Sequence, residues 1–365
     1  MSETAHPLLP PSVPLLRSAT PGGEVAVQVG GVDTADGLLV TPGTGLTALL
    51  RGLDGRRAQR TVVAEAASVG HDPAAVTALL DGLRATGLLV DLDAADLLAA
   101  DAGPAATART RAELPAATGS DRTPAGSSWQ ARRAASVVVE GATRVGVPLA
   151  AVLAASGVGR VSVRDTGLVT AGEAVVGGFD AADEGRPRAV AAADAVRRVN
   201  PLTDLRAPAG TSPDLVVLTA PWAASDPAVA DLQARGVPHL VATVRGETGV
   251  VGPLVVPGAS SCLRCAELHR RDLDPRWPVL AAQLTAGGGV LGGATATCLM
   301  TAVVTAVQVL AHLDGRAAPV TLGATLELRP PDLLPRTRHW PAHPECGCLP
   351  GGSPPAGVTT APPAG

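Results

Sequence analysis

The sequence contains no lysine and no tyrosine, and its only phenylalanine is Phe179. All 29 basic residues are therefore arginine. No side-chain amine is available for a Schiff base, for the lysine of a phosphate-binding loop or as a nucleophile. With four Trp and 46% hydrophobic residues, any core must be filled mainly by Ala, Val and Leu. A basic excess is also missing. The net charge is -4, whereas nucleic-acid binding calls for a clustered positive footprint. No cysteine precedes position 262, and all five lie from there onward. An odd number clustered late does not make a disulfide scaffold. The N-terminal MSETAHPLLPPSVPLL has neither a charged start nor an uninterrupted apolar run, so no signal peptide is read there and a cytoplasmic protein is expected. Val290 to Val307 carries no charge for eighteen residues. Its Ala, Thr and Gly content favours a buried helix over a membrane span.

The patterning divides the chain. Residues 1–16 are Pro-rich and expected to be a flexible N-terminus. Residues 17–97 read as a winged helix: strands at Glu24–Val29 and Leu38–Thr41, helices at Gly45–Leu53 and Thr61–Val69, a third helix capped by Asp72, and a closing strand at Leu88–Val90. Val76, Leu79, Leu80 and Leu83 fall on one face of the third helix, and Gly87 ends it. Five Arg against seven acidic residues between Gly45 and Asp96 exclude phosphate binding as its purpose. Residues 98–131 have linker composition, and 350–365 the composition of a disordered tail. Between them, 132–349 alternates strands (from Ser136, Arg160, Leu215 and His239) with helices (Val147–Ala155, Arg188–Val199, Asp226–Arg235). That is the pattern of an α/β fold, a Rossmann-like, mostly parallel sheet wrapped by helices.

Two constellations carry chemistry. Cys262 and Cys265 form a C-x-x-C pair, and Cys346 and Cys348 a C-x-C pair. Together they supply the four thiolates of a closed tetrahedral zinc site, which would staple the end of the domain to its middle. The alternative is a redox pair. His269 and His343 flank the cluster as neighbours of the ligands. The second constellation is Gly141-Ala142-Thr143-Arg144-Val145-Gly146, between the first strand and helix of the α/β region. Gly141 and Gly146 match a nucleotide loop, but Thr143 stands where the middle glycine lets phosphate approach the backbone. Asp165 ends the next strand. It suits a ribose hydroxyl and equally a strand-end cap. Cys298 reads as a buried apolar residue rather than a nucleophile. Trp222, after a strand end, is a candidate pocket wall.

These residues, with "GVGRVSVRD", "RVNP", "DLVVLTAPW", "CLRCAELHRRDLDPRWPVLAAQL" and "HPECGC", are similar in order and spacing to the ThiF/MoeB/HesA superfamily, which shares its fold with ubiquitin-activating enzymes. The resemblance covers about 132–349. It looks closest to an actinobacterial branch that accompanies YcaO-type cyclodehydratases in making azole-modified peptides. The N-terminal part resembles the PqqD-like winged helix that binds leader peptides. The superfamily implies an adenylyltransferase using ATP and Mg2+ on the C-terminus of a small carrier protein, and a homodimer. Several of its elements are replaced here. Gly167 stands where a second acidic residue is usual, and 168–175 lacks the Asn-x-x-Arg segment. Arg186 or Arg188 takes the place of the nucleotide lysine, and Ala220-Pro221-Trp222 that of the magnesium-binding Asp. The resemblance thus implies a zinc protein degenerate in its ATP site, with Gly141, Gly146, Asp165, Arg186 and Arg188 as its nucleotide remnants and no confident catalytic residue. Its expected partners are a leader peptide or small carrier protein and a YcaO-type enzyme, with neither nucleic acid nor membrane.

Overall fold

The computed structural model describes residues 4–19, 25–30, 37–40, 46–92, 113, 125–208, 210–220, 226–286, 293–315 and 317–349. The chain divides into two compact units, Met1–Arg133 with Leu313–Arg316, and Ala134–His312 with Ala317–Gly365.

In the first unit, β1 (His6–Leu8) precedes a three-stranded antiparallel sheet of β2 (Leu15–Ala19), β3 (Val25–Gly30) and β4 (Gly37–Val40). Three helices follow, α1 (Leu46–Arg51), α2 (Gln59–Ser68) and α3 (Pro73–Ala85), and then β5 (Val90–Leu92). The Asp72 carboxylate accepts from the amides of Ala74 and Ala75 at 3.2 Å, as an N-cap must, and Pro73 needs no amide partner at the first helical position. Val76, Leu80 and Leu83 turn into a core with Val27, Val29 and Leu50, while Leu79 packs at its margin. Two expectations are corrected. Residues 1–16 are not wholly loose, because β1 pairs antiparallel with β5 and buries Leu8 against Val90, Leu92 and Trp129. The linker expected over 98–131 ends early, because α4 (Ala125–Ala134) begins inside it and places Trp129 in that cluster. Leu8 and Trp129 are the apolar side chains that draw these two segments into one core. Apart from Glu113, the linker before 125 lies outside the described residues, as do Trp222 and the tail from 350.

The second unit is built on one seven-stranded sheet in the order β12-β11-β10-β9-β8-β6-β7. Strands β6 (Ser136–Glu140), β7 (Arg160–Arg164), β8 (Leu215–Leu218) and β9 (His239–Arg245) are parallel. Strands β10 (Thr248–Val255), β11 (Ala324–Leu328) and β12 (Pro335–His339) continue it antiparallel. Five of the seven strands thus run one way. Helices α5 (Gly146–Ala155) and α6 (Arg188–Val199) cover one face, with Ala142, Val147, Phe179, Ala191 and Ala195 packed together. On the other face α7 (Pro227–Ala234) and α8 (Leu263–Leu273) pack Val229, Leu232, Leu263 and Cys265 on Val138, Val216 and Val241. After α9 (Trp277–Ala286) comes α10 (Thr295–Asp314), which is long and apolar enough to cross a membrane. One side of it is buried (Cys298, Thr301, Ala302, Thr305 and Val309). The Thr301 and Thr305 hydroxyls donate to the carbonyls one turn back at 2.7 and 2.6 Å, so their burial leaves no polar group unmatched.

Candidate functional site

Strand order reverses at β6: β7 lies on one side of it and β8 on the other. In an open α/β sheet the crevice at such a reversal, beyond the carboxyl ends of the strands, is where a ligand binds. The segment 141–146 lies there. Gly141 has φ +105°, and a Cβ on it would stand 2.8 Å from the Ala220 nitrogen and from Thr219 Oγ1. A Cβ on Gly146 would run into the Gly141 carbonyl and Thr219 Oγ1. Both glycines therefore serve close packing between β6, β8 and α5.

Four amides of this loop are already engaged. Gly141 N–H donates to the Arg164 carbonyl at 2.8 Å. Ala142 N–H donates to Asp165 Oδ2 at 2.6 Å. Val145 and Gly146 N–H both donate to Thr143 Oγ1, at 3.3 and 3.0 Å. The helix N-terminus that would face a phosphate is capped by the chain's own hydroxyl. Thr219 Oγ1 donates to the Gly141 carbonyl at 2.6 Å and closes the crevice from the β8 side.

The remaining expected residues are brought together, but with internal partners. Arg188 reaches Asp165 Oδ2 at 3.6 Å and Glu173 Oε1 at 2.6 Å, and donates from Nε to the Leu168 carbonyl at 3.2 Å. Arg186 is held by Asp183 and, at 2.5 Å, by Asp194, which raise its already high pKa through hydrogen bonds. Asp194 is correspondingly held below the usual carboxylate range by Arg186 and then Arg197. Glu173, Asp183 and Asp194 were not singled out from sequence. Loops and two short 3-10 turns separate Glu173 and Asp183 from these arginines, so no periodic spacing in the sequence marked them. The hydroxyl of Thr143 was legible as a capping residue just ahead of a helix, although it was read only as an obstacle. Arg186 and Arg188 are both committed to internal acids, so neither is the uncommitted cation that a nucleotide triphosphate requires.

A cleft of about 550 Å³ opens on the α7 face instead, lined by Glu140, Arg164, Asp226, Asp231 and Arg235 among others. Asp165, Arg186 and Arg188 do not border it.

The four cysteines do converge. Cys262 precedes α8 and Cys265 sits in its first turn. Cys346 and Cys348 follow β12 and close the same cluster from above. The Sγ separations are 3.9 Å for 262–265, 3.5 Å for 262–346 and 3.4 Å for 265–348, and all four sulfurs lie within 4.8 Å of one another. Four thiolates around one ion at ~2.3 Å stand ~3.8 Å apart, so the cluster fits a metal without rearrangement. Crowding splits the titration of the bare thiols. Cys265, hydrogen-bonded by Cys262 and by the His343 amide, is held down at about 4, whereas burial pushes Cys348 up to about 11. Hydrogen bonding to Cys265 and then burial push Cys262 up as well. Only a cation would let all four ionise together. His343 does not ligate: its Nε2 meets Asp272 Oδ2 at 2.8 Å, and its amide donates to Cys265 Sγ at 3.4 Å. His269 packs edge-on against the His343 ring at 4.8 Å. Cys298 is buried in α10, and burial raises its pKa, as expected of an inert thiol.

Solved structures share this architecture. The crystal structure of E. coli MccB with ATP is similar with a TM-score of 0.59 at 14% identity, over 94% of this chain and 99% of that one. Microcin C7 biosynthetic enzyme MccB in complex with N-formylated MccA is similar at 0.58 and 13%, over 94% and 99%. PaaA, in its selenomethionine form, is similar at 0.58 and 16%, over 76% of this chain and 96% of that one. At these identities the likeness is one of fold. No curated protein matches the chain. The sequence from 124 to 348 matches the ThiF family, and with well over half of its length inside that match the chain belongs to it.

Proposed function

We propose that this chain is a ThiF-fold zinc protein that recognises a peptide and docks a peptide-modifying enzyme, rather than one that adenylates its own substrate. One observation carries the reading: four amides of the 141–146 loop are taken by Asp165, Thr143 or a backbone carbonyl, and Arg186 and Arg188 are held by internal acids. A charge-stabilising donor at such a site is worth ~10²–10³ in rate, and here several are committed elsewhere. The similarity to MccB in complex with N-formylated MccA supports a peptide as partner.

In this proposal the first unit acts as a PqqD-like module and takes a leader peptide as an added strand on the edge of β2 or β4. The second unit docks a YcaO-type enzyme, as in the actinobacterial branch the sequence resembles. Cys262, Cys265, Cys346 and Cys348 hold zinc, because an all-thiolate tetrahedral set in a closed shell suits that ion and leaves no open catalytic position. The protein works in the cytoplasm as a homodimer. A second reading, favoured by the likeness to MccB with ATP, is a working adenylyltransferase acting on the C-terminus of a small carrier protein.

Pyrophosphate exchange with ATP separates the two. The docking reading expects no exchange above background with or without peptide and partner enzyme, and sustained exchange ends it. Freshly purified protein should carry about one equivalent of zinc per chain.

A further inference from the structure

Two buried donors of the second unit have no acceptor among the described residues, and they are neighbours. Arg270 Nη1, in the last turns of α8, and Trp277 Nε1, at the start of α9, are both shielded from solvent without a hydrogen-bond partner. The Arg270 guanidinium carbon lies 5.2 Å from the Trp277 ring centre and 4.4 Å from that of Trp340. Arg338 stacks on Trp340 at the same 4.4 Å. Leaving a buried donor unmatched is costly, more so for a charged one. A corner built of two such donors is therefore shaped for an acceptor that the described residues do not supply.

Charge points the same way. Arg245 and Arg338 repel Arg270, and Glu267 and Glu327 attract it. Glu327 is already paired with Arg329. Burial, then the two arginines, push Arg270 down to about 10, so the nearby acids do not offset its surroundings. An incoming anion would. The two side chains also have apolar neighbours. Leu273, three residues after Arg270, is 72% exposed, and Leu280, three after Trp277, is 39% exposed. At that spacing each lies on the same helical face as its donor.

We propose that the Arg270–Trp277 corner is a carboxylate-binding site for an apolar peptide segment, with Arg270 and Trp277 turning their shielded Nη1 and Nε1 outward to donate to the two carboxylate oxygens and Leu273 and Leu280 receiving the residues on either side. The site is separate from the 141–146 loop and from the strand edges of the first unit. It stands whether or not the reading of those holds.

The full chain is titrated by calorimetry with three peptides: acetyl-Leu-Val-Glu-Leu-Val-amide, the same peptide with Gln for Glu, and acetyl-Leu-Val-Leu with a free C-terminal carboxylate. A charged hydrogen-bonded pair predicts that at least one carboxylate peptide binds about tenfold or more tighter than the Gln peptide. The Glu peptide binding alone identifies an acidic side chain as the ligand, and the free-carboxylate peptide alone identifies a chain end. Arg270→Gln should erase the difference. Because loss of Arg270 can disturb packing on Trp340, Trp277→Phe provides a milder check. It keeps the ring, removes the N–H and should weaken the preferred peptide about three- to tenfold. Equal binding of all three peptides, no binding of any, or affinity unchanged in Trp277→Phe overturns the proposal. So does an Arg270→Gln chain that changes oligomeric state in sedimentation while its peptide affinities stay as they were, which would assign the patch to a second copy.

Discussion

At the scale of single residues, Thr143 decides what the glycine loop can do. Its hydroxyl accepts from the Val145 amide just before α5 and from the Gly146 amide that begins it. Thr143→Ala should therefore cost about 1 kcal/mol of stability, seen as a lower urea midpoint with unchanged slope. Gly146 has no room for a side chain, because its Cβ would meet the Gly141 carbonyl and the Thr219 hydroxyl. Gly146→Ala should destabilise by about 3 kcal/mol or leave the chain insoluble. His239 gives a pH signature. Burial holds its pKa below the ordinary 6.5, and its Nδ1 meets the Val237 carbonyl at 2.9 Å. The unfolded chain then binds a proton below pH 6.5 that the folded one refuses, so stability is complete above 6.5 and falls as pH drops beneath it. Half-buried His312 acts in the same direction, its pKa also lowered by burial. Urea midpoints at pH 7.5 and 5.5 should differ, and the difference should shrink in His239→Gln. The position of Thr143 was legible in the sequence, but its partners were not, because a hydroxyl one turn from a helix start can equally face solvent.

At the scale of elements, caps and stops were the most legible features. Asp72 and Asp226 cap α3 and α7, each followed by proline at the first helical position. α6 covers the residues read for it without change. These signals are local, so sequence neighbours suffice to read them. The pairing of β1 with β5, and the strands β10, β11 and β12, were not legible. The first joins segments more than eighty residues apart. Strands β10 and β11 have an apolar pattern that fits a parallel or an antiparallel ladder equally well, and β12, PRTRH, is exposed along its length and has no apolar pattern at all. A further long-range link is the pair Arg132–Asp314, between α4 and the last residue of α10. It is bidentate, at 2.6 Å for each bond, and almost wholly buried. Asp314→Asn leaves a buried guanidinium without its counter-charge and should cost about 3–5 kcal/mol. Thermal unfolding of Asp314→Asn beside an Arg132→Met/Asp314→Leu double variant tests this. The double change should recover much of the loss, because it removes both charges together.

For the whole molecule, the four cysteines are the long-range tie, joining the start of α8 to the chain beyond β12 across some eighty residues. Structural zinc sites contribute about 10–16 kcal/mol of binding free energy. A strong chelator, or Cys346→Ser, should lower the unfolding midpoint by roughly 10 °C or more. Trp340, 3% exposed, with its carbonyl on Ser261 Oγ at 2.6 Å, reports on that region by fluorescence. The sequence by itself determined the alternation of strands and helices, the ends of helices such as α3 and α6, and the pairing of cysteines into a candidate metal cluster. Each of these rests on short-range spacing: a period, a cap, or two cysteines on one hairpin. Only the tertiary structure decided which amides of the glycine loop stay free, which strands run antiparallel, and that Arg270 and Trp277 meet without an acceptor. Those outcomes depend on which distant groups a fold brings within 3 Å of one another, and no local pattern of residues encodes that distance.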